Sequence, residues 1–232
     1  MLGAMRKLEM IGDREESMKM RDQILTRSVV AAASFAAVLA VATTAVAAKT
    51  IIDEWSSVQV PPPPKLEPVT VDPKTTALLV LDLIPQICNS KPRCVASLPE
   101  VAKLLKGARD SKTMVVYSLV SGRTPADILP PVKPLGGEPV VTSHADKFID
   151  TDLEKILKDK GIKTVIVVGT AAEGAVLYTA SHAAFVGLDV VVPVDGMSAS
   201  LPYAEQYVAW DLTHAPGVSA KVKLTAIDMV KY

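Results

Sequence analysis

The sequence has few of the residues that mark metal-binding or nucleic-acid-binding proteins. Cysteine occurs twice and histidine three times in 232 residues, and no group of them has the spacing of a zinc site. The 25 lysines and arginines balance the 25 aspartates and glutamates, with no basic block and no acidic tail. We therefore expect no metal, no cofactor and no nucleic-acid partner.

Charge is also missing from one stretch near the N-terminus. Ser28–Ala48 is uncharged, rich in alanine and valine, and ends in Ala45-Val46-Ala47-Ala48. This pattern is typical of a secretory signal peptide and its cleavage site. We expect residues 1–48 to be an N-terminal extension and signal peptide, and the protein to be periplasmic or secreted. An uncleaved anchor is the alternative, and in both cases the membrane is a partner only through this export signal.

The two cysteines lie close together in the sequence, at Cys88 and Cys94. In an exported protein such a pair is a candidate for a local disulfide bond. Two free buried thiols are the alternative.

Proline separates the N-terminal segment from the rest of the chain. Residues 49–74 contain Pro61-Pro62-Pro63-Pro64, and we expect them to form neither a helix nor a central strand. They are predicted to be an extended linker, either a spacer or a strap across the surface. The remaining residues, 75–232, are sufficient for one domain.

Short apolar runs alternate with helical patterns from Thr75 onward. The runs are typical of strands buried on both faces, and they are Ala77–Asp82, Thr113–Ser118, Lys163–Val168 and Asp189–Val194. The predicted helices begin at the capping boxes Ser97–Glu100 and Thr151–Glu154 or span about Gly174–Phe185 and Tyr203–Leu212. This alternation predicts an α/β fold, a three-layer α/β/α doubly wound sandwich with a mainly parallel sheet. Its ligand site is expected beyond the carboxyl ends of the strands.

Two charged residues are expected at that edge of the sheet. Asp82 ends an otherwise apolar strand, so it is either a general acid or base or the cap of the next loop. His144–Phe148 follows Val140–Thr142, which is predicted to be a brief strand. Within this segment, Lys147 either pairs with Asp82 or forms a surface pair with Asp146.

The turn Gly169–Ala175 leads from the third apolar run into a helix. Backbone N–H groups at a helix N-terminus bind carboxylates, phosphates and oxyanions, so the turn is a candidate cradle for such a group. Close packing of a strand against a helix would explain its small residues equally well. Glu173 within the turn would oppose an anion unless it is protonated or points away.

The order of these segments resembles the isochorismatase-like, or cysteine hydrolase, family, which includes nicotinamidases and N-carbamoylsarcosine amidases. The resemblance covers Thr75 to about Val194, and four segments carry it: Ala77–Asp82, Phe148–Leu153, Gly161–Thr170 and Thr179–Asp195. The family's hydrolases use an aspartate, a lysine and a cysteine nucleophile. Asp82 matches the aspartate, whereas the nucleophile position falls on Ala175 and the lysine position on Thr142. Lys147 would therefore have to act from a shifted position.

The resemblance implies two groups of site residues. The catalytic positions would be Asp82, Lys147 and Ala175. The residues that contact a small-molecule substrate would be Gln86, His144, Phe148, Thr170, Ala171, Glu173 and Gly174.

The resemblance also implies a homo-oligomer. Tyr203, Tyr207 and Trp210 lie on one face of the last helix, and we expect this face to pack against the core or a neighbouring subunit. His182 is expected to be a packing or surface histidine and not a catalytic one.

Three functions remain open from the sequence. The first is a hydrolase that works without the cysteine, similar to the true isochorismatases, in which the aspartate protonates a vinyl ether. The second is a non-catalytic relative that binds a small molecule or a partner in the same site. The third is a hydrolase in which Cys88 is a relocated nucleophile.

Overall fold

The computed structural model describes residues 48–232, so the predicted signal peptide lies almost wholly outside the described residues. Residues 48–59 belong to a unit separate from Val60–Tyr232 and contain the short helix α1 (Ile51–Glu54). The expectation that residues 49–74 contain no helix is therefore wrong. The backbone N–H and the hydroxyl of Thr50 both donate to the carboxylate of Asp53, and these bonds cap one turn of helix before the proline run.

Parallel strands form the centre of the Val60–Tyr232 unit. In chain order its strands are β1 (Val69–Thr70), β2 (Thr76–Leu81), β3 (Met114–Leu119), β4 (Val140–Thr142), β5 (Thr164–Thr170), β6 (Asp189–Pro193), β7 (Met197–Ser198), β8 (Val222–Thr225) and β9 (Val230–Lys231). The main sheet has the order β4-β3-β2-β5-β6-β8, and β7 pairs with the end of β5. Each of the four predicted strands and the brief strand β4 is present, which confirms the parallel sheet.

Helices cover both faces of this sheet. They are α2 (Pro85–Cys88), α3 (Pro92–Asp110), α4 (Leu153–Asp159), α5 (Leu177–Phe185) and α6 (Pro202–His214). A π-helical turn, Ala172–Val176, precedes α5. Alternate β2 side chains point to opposite faces: Leu78 belongs to the apolar cluster that contains α3, and Leu79 to the cluster that contains α4, α5 and α6. The three-layer α/β/α sandwich is confirmed.

Two predicted helix starts are wrong. Helix α3 begins at Pro92, so Ser97 lies inside it and donates to the carbonyl oxygen of Cys94 at 2.9 Å. Helix α4 begins at Leu153, because the Thr151 hydroxyl donates to the Lys147 carbonyl oxygen at 2.6 Å and accepts the Leu153 N–H at 3.2 Å. In both places a serine or threonine hydroxyl bonds to backbone outside a capping box.

The later part of the predicted linker is a strap across the surface. The N–H of Glu67 donates to the Leu224 carbonyl oxygen at 3.0 Å, and β1 pairs in parallel with β9. Leu66 also packs against the apolar cluster of the main sheet. The strap thus joins the beginning of the unit to its C-terminal end.

A disulfide bond joins Cys88 at the end of α2 to Cys94 in the first turn of α3. Both residues are fully buried. Of the two alternatives left open by the sequence, the disulfide is the one observed. Because Cys88 then has no free thiol, the structure does not support its assignment as a relocated nucleophile.

The aromatic face of α6 does not pack against the core. Tyr203 is 70% exposed, and Tyr207 and Trp210 are each 41% exposed. The first alternative for this face is therefore wrong, and its contact with a neighbouring subunit stays a prediction. Within residues 48–232, no helix is both long enough and apolar enough to cross a membrane.

Replacing both cysteines in Cys88→Ser/Cys94→Ser is expected to lower the free energy of unfolding by about 2 kcal/mol, because the bond closes a short loop in the unfolded chain. Urea unfolding of the oxidised protein and of the variant measures the difference, and reductant should abolish it. Two titratable thiols in the denatured, unreduced protein would contradict the bond.

Candidate active site

The candidate site lies where the chain reverses its direction across the sheet. From β2 the chain adds β3 and β4 on one side, and then β5, β6 and β8 on the other. In doubly wound sheets such a switch point opens a crevice beyond the carboxyl ends of the two central strands. Here those strands are β2 and β5, which end at Leu81 and Thr170.

Asp82 directly follows β2 at this edge and is 3% exposed. Its φ of 53° is in the left-handed region, which costs about 1 kcal/mol or more for a residue with a Cβ. Ser118, paired with Leu81 in the β2–β3 register, donates its hydroxyl hydrogen to Asp82 Oδ1 at 2.8 Å. The neighbouring strand therefore fixes one carboxylate oxygen.

Lys147 holds the other carboxylate oxygen. Its Nζ lies 2.7 Å from Asp82 Oδ2, and its side chain has no solvent exposure. The same Nζ donates to the carbonyl oxygens of Ser143, at 3.4 Å, and His144. These three acceptors match the three N–H groups of an ammonium. The pair with Asp82 is thus the observed one of the two alternatives for Lys147, not a surface pair with Asp146.

Two threonines that were not among the predicted site residues fix the backbone of Lys147. The N–H of Lys147 donates to Thr179 Oγ1 at 3.2 Å, and its carbonyl oxygen accepts from Thr151 at 2.6 Å. Thr179 is on α5 and Thr151 precedes α4, so both helices help to place the lysine. The bond to Thr179 joins residues 32 positions apart, so no local sequence pattern reveals it, whereas the bond from Thr151 is local.

Asp146, which directly precedes Lys147, forms two further polar contacts. Asp146 Oδ1 accepts the N–H of Phe148 at 2.9 Å, and Asp146 Oδ2 lies 2.7 Å from His182 Nδ1. The His182 ring stacks on Phe148, with ring centroids 4.5 Å apart. His182 therefore helps to position the loop that holds Lys147, while its own ring stays outside the Asp82 contact.

Burial raises the pKa of Asp82 above its ordinary value of 3.8, and this effect outweighs the opposing effects of Lys147 and Ser118. The low exposure of the carboxyl group makes its ionised form costly even beside an ammonium. A carboxyl group with a raised pKa holds its proton at higher pH, which suits a proton donor.

Near its end, β5 approaches the last residue of β2 through a glycine. Gly169 has a φ of 131°, and a Cβ at this position would overlap the backbone of Leu81. Ala175 is 4% exposed in the π-helical turn that follows. The N–H groups of Gly174 and Val176 both donate to the Ala171 carbonyl oxygen, at 3.1 and 3.2 Å. These two donors are engaged within the turn and are not free to form an anion cradle.

The remaining predicted contact residues lie in varied surroundings. Thr170 is buried and donates its hydroxyl hydrogen to the Ser198 carbonyl oxygen at 3.1 Å. Within residues 48–232, one buried carboxylate oxygen of Glu173 has no hydrogen-bond partner. Gln86 on α2 and His144 are exposed. His144 reaches Lys147 only through its carbonyl oxygen, and among the described residues no hydrogen bond joins Gln86 to Asp82 or Lys147.

The charged pair is closed off from solvent. The side chain of Asp82 is 5% exposed and that of Lys147 is not exposed at all. Phe148 is also buried, at 6% exposure. A ligand that contacts both charged groups therefore requires a movement of the residues that cover them.

Replacing Lys147 by methionine is expected to lower the free energy of unfolding by about 3 kcal/mol, because Asp82 is left buried without its cation. The double variant Lys147→Met/Asp82→Asn should lose less than the single variant, since no charge is stranded. Urea unfolding measures both variants.

Lys155→Met is the matched control, because Lys155 pairs with Asp159 on an exposed face of α4 and should leave stability unchanged. A double variant as unstable as the sum of its single variants would contradict the coupling between Lys147 and Asp82.

Comparison with known proteins gives the family. The sequence model of one protein family, the isochorismatase domain, matches residues 76–220 of this chain. The secreted isochorismatase effector Isc1 of Verticillium dahliae is 29% identical over 144 residues, which are 56% of this chain and 76% of that protein.

Solved structures agree with this match. An isochorismatase-like hydrolase from Alkaliphilus metalliredigens superposes with a TM-score of 0.60 at 23% identity, over 68% of this chain and 94% of that one. N-carbamoylsarcosine amidase from Thermoplasma acidophilum superposes with a TM-score of 0.57 at 24% identity, over 66% of this chain and 97% of that one. At these identities the structures establish a shared fold. Because the family model covers more than half of the chain as well, this protein belongs to the isochorismatase family.

Proposed function

We propose that this protein is an isochorismatase-like hydrolase that cleaves a C–N or ether bond of a small molecule, with Asp82 as the acid and base. The observation that carries the proposal is the buried contact between Asp82 and Lys147 at the switch point of the sheet. A proton donor and a fixed cation are two of the parts that such a reaction needs.

Asp82 supplies the proton in this mechanism. With an enol ether, protonated Asp82 gives its proton to the carbon of the double bond, and the resulting oxocarbenium ion takes up water. The added water returns a proton to the Asp82 carboxylate. The hemiketal then breaks its C–O bond as its hydroxyl proton passes to the departing oxygen, which gives a ketone and an alcohol. With a C–N bond, the Asp82 proton goes to the leaving nitrogen as water attacks the carbon, and the attacking water returns a proton to the Asp82 carboxylate. The ammonium of Lys147 stabilises the carboxylate that remains after the proton has left.

Ala175 makes a covalent route unsuitable. The resemblance aligns this residue with the family's cysteine, and a methyl group cannot attack a carbonyl carbon. Direct attack by water needs no nucleophilic side chain. The proposal therefore uses the two residues that the buried contact joins and assigns Ala175 only to the wall of the site.

The proposal extends to the location of the protein. The stretch Ser28–Ala48 has the composition of a signal peptide, and the relative from Verticillium dahliae is described as secreted. Both support an exported protein. The observed disulfide bond is consistent with an oxidising compartment.

A non-catalytic relative that binds a small molecule is the second candidate. It is favoured by the enclosure of the site, because Lys147 has no exposed surface and Ala175 is only 4% exposed. Two N–H groups of the turn are also engaged internally. In this alternative the Asp82–Lys147 contact stabilises the fold and does not react.

The first test is hydrolysis of a panel of small amides, ureides and enol ethers. Asp82→Asn is expected to lower turnover by about 100-fold or more, because it removes the proton donor. Asp195→Asn is the matched control: Asp195 follows β6 at the same edge, and an asparagine there can still accept the Ile227 N–H, which now donates at 2.9 Å.

Equal turnover of the wild type and Asp82→Asn would contradict the role of Asp82. No turnover in either protein, together with a rise in melting temperature on addition of a panel compound, would favour the binding protein instead.

The pH dependence tests the protonated state of Asp82. The kcat/KM of the hydrolysis is expected to fall as pH rises through the raised pKa of Asp82, because only the protonated group donates. Ser118→Ala should move this fall to higher pH, since the Ser118 hydroxyl stabilises the carboxylate form. A fall at lower pH in Ser118→Ala than in the wild type would contradict the assignment.

A further inference from the structure

A cavity of about 510 Å³ lies beside the segment that holds Lys147, although neither Lys147 nor Asp82 lines it. Ile149, Tyr178 and Phe185 contribute its large apolar side chains, and Asp146 and His182 are among its polar ones. This volume is within the usual range for small-molecule sites. The cavity is thus separate from the contact between Asp82 and Lys147.

The apolar side chains around this cavity are unusually exposed. Ile149 is 54% exposed, Tyr178 52% and Phe185 66%. Single exposed apolar residues are common, but three around one cavity indicate a surface that a ligand covers. Phe185 is itself supported, because its Cε1 would lie only 3.1 Å from a Cβ at Gly217. The glycine lets the aromatic ring rest against the neighbouring backbone.

His182 gives the cavity one oriented polar group. Its Nδ1 lies 2.7 Å from Asp146 Oδ2, and its ring stacks on Phe148. When the imidazole is neutral, a carboxylate on Nδ1 keeps the ring proton on that nitrogen, which leaves Nε2 as an acceptor. Among the described residues no hydrogen bond engages Nε2, and the His182 side chain is 31% exposed. His182 Nε2 can therefore accept a hydrogen bond from a ligand that lies against the apolar side chains.

The charges of the cavity select the kind of ligand. Asp146 is the carboxylate in its lining, and no lysine or arginine lines it. An anion would therefore meet the Asp146 carboxylate with no lysine or arginine to offset it. A neutral ring that carries a hydroxyl group fits better, because the ring covers apolar surface and the hydroxyl donates to the free imidazole nitrogen.

We propose that this cavity binds a small neutral aromatic alcohol of the phenol type. The ring packs against Tyr178 and Phe185, and the hydroxyl donates to His182 Nε2. The proposal does not depend on hydrolysis at Asp82. It assigns a separate ligand site to the surface of the segment 143–149 and the exposed face of α5.

A titration with phenol tests the site in the full protein. The imidazole resonances of His182 are identified by their loss in His182→Gln, and they should shift saturably with phenol. Anisole has the same ring but no hydroxyl donor, so it should bind about fivefold more weakly. Phe185→Ala should weaken phenol binding about fivefold or more, because it removes an exposed wall of the cavity.

Tyr203→Ala is the matched control, since Tyr203 is an exposed aromatic residue on α6 that does not line the cavity. Phenol binding should be unchanged in this variant. Two results would overturn the proposal directly: no saturable shift at His182, or equal weakening of phenol binding in both alanine variants. A third would also overturn it: the wild type does not bind phenol, and Phe185→Ala has a lower molar mass than the wild type in sedimentation. The last result would show that a second copy of the chain covers this face.

Discussion

The buried contact between Asp82 and Lys147 is the constraint on which the candidate site depends. Removing a carboxylate and an ammonium from water costs several kcal/mol for each ion unless their hydrogen-bonding groups are engaged. Three neighbouring groups engage the carboxylate and the ammonium of this pair. Ser118 reaches one carboxylate oxygen from the next strand, and the segment before Lys147 turns two of its carbonyl oxygens towards the ammonium. The β2–β3 register and the path of that segment are therefore parts of one arrangement.

The backbone near Asp82 is as constrained as its side chain. Asp82 adopts a positive φ, and Gly169 on the adjacent strand leaves no room for a Cβ against Leu81. Such conformations persist only where the surrounding core determines them. Here β2 is buried along its whole length between β3 and β5. The fold thus supplies the rigidity that a strained, charged strand end requires.

The sequence predicted what depends on local patterns. Continuous apolar runs identified the strands, and the carboxylate at the end of Ala77–Asp82 pointed to the edge of the sheet where the candidate site lies. Two helix starts were predicted wrongly from apparent capping boxes, because Ser97 and Thr151 bond to carbonyl oxygens of earlier residues instead. Most contacts between distant residues could not be predicted, although the pair of Asp82 with Lys147 was one of two alternatives that the sequence offered. Asp146 and His182 are 36 residues apart, and the strap depends on a strand at the other end of the chain.

The most direct test of this account is the titration of the Asp82 carboxyl group, followed by ¹³C NMR of the labelled protein and assigned through Asp82→Asn. The account predicts a pKa above the ordinary value of 3.8, because burial outweighs the effects of Lys147 and Ser118. A carboxyl group with a pKa at or below 3.8 would be a permanently ionised partner of Lys147. That result would contradict the role of Asp82 as a proton donor and leave the pair as a purely structural contact.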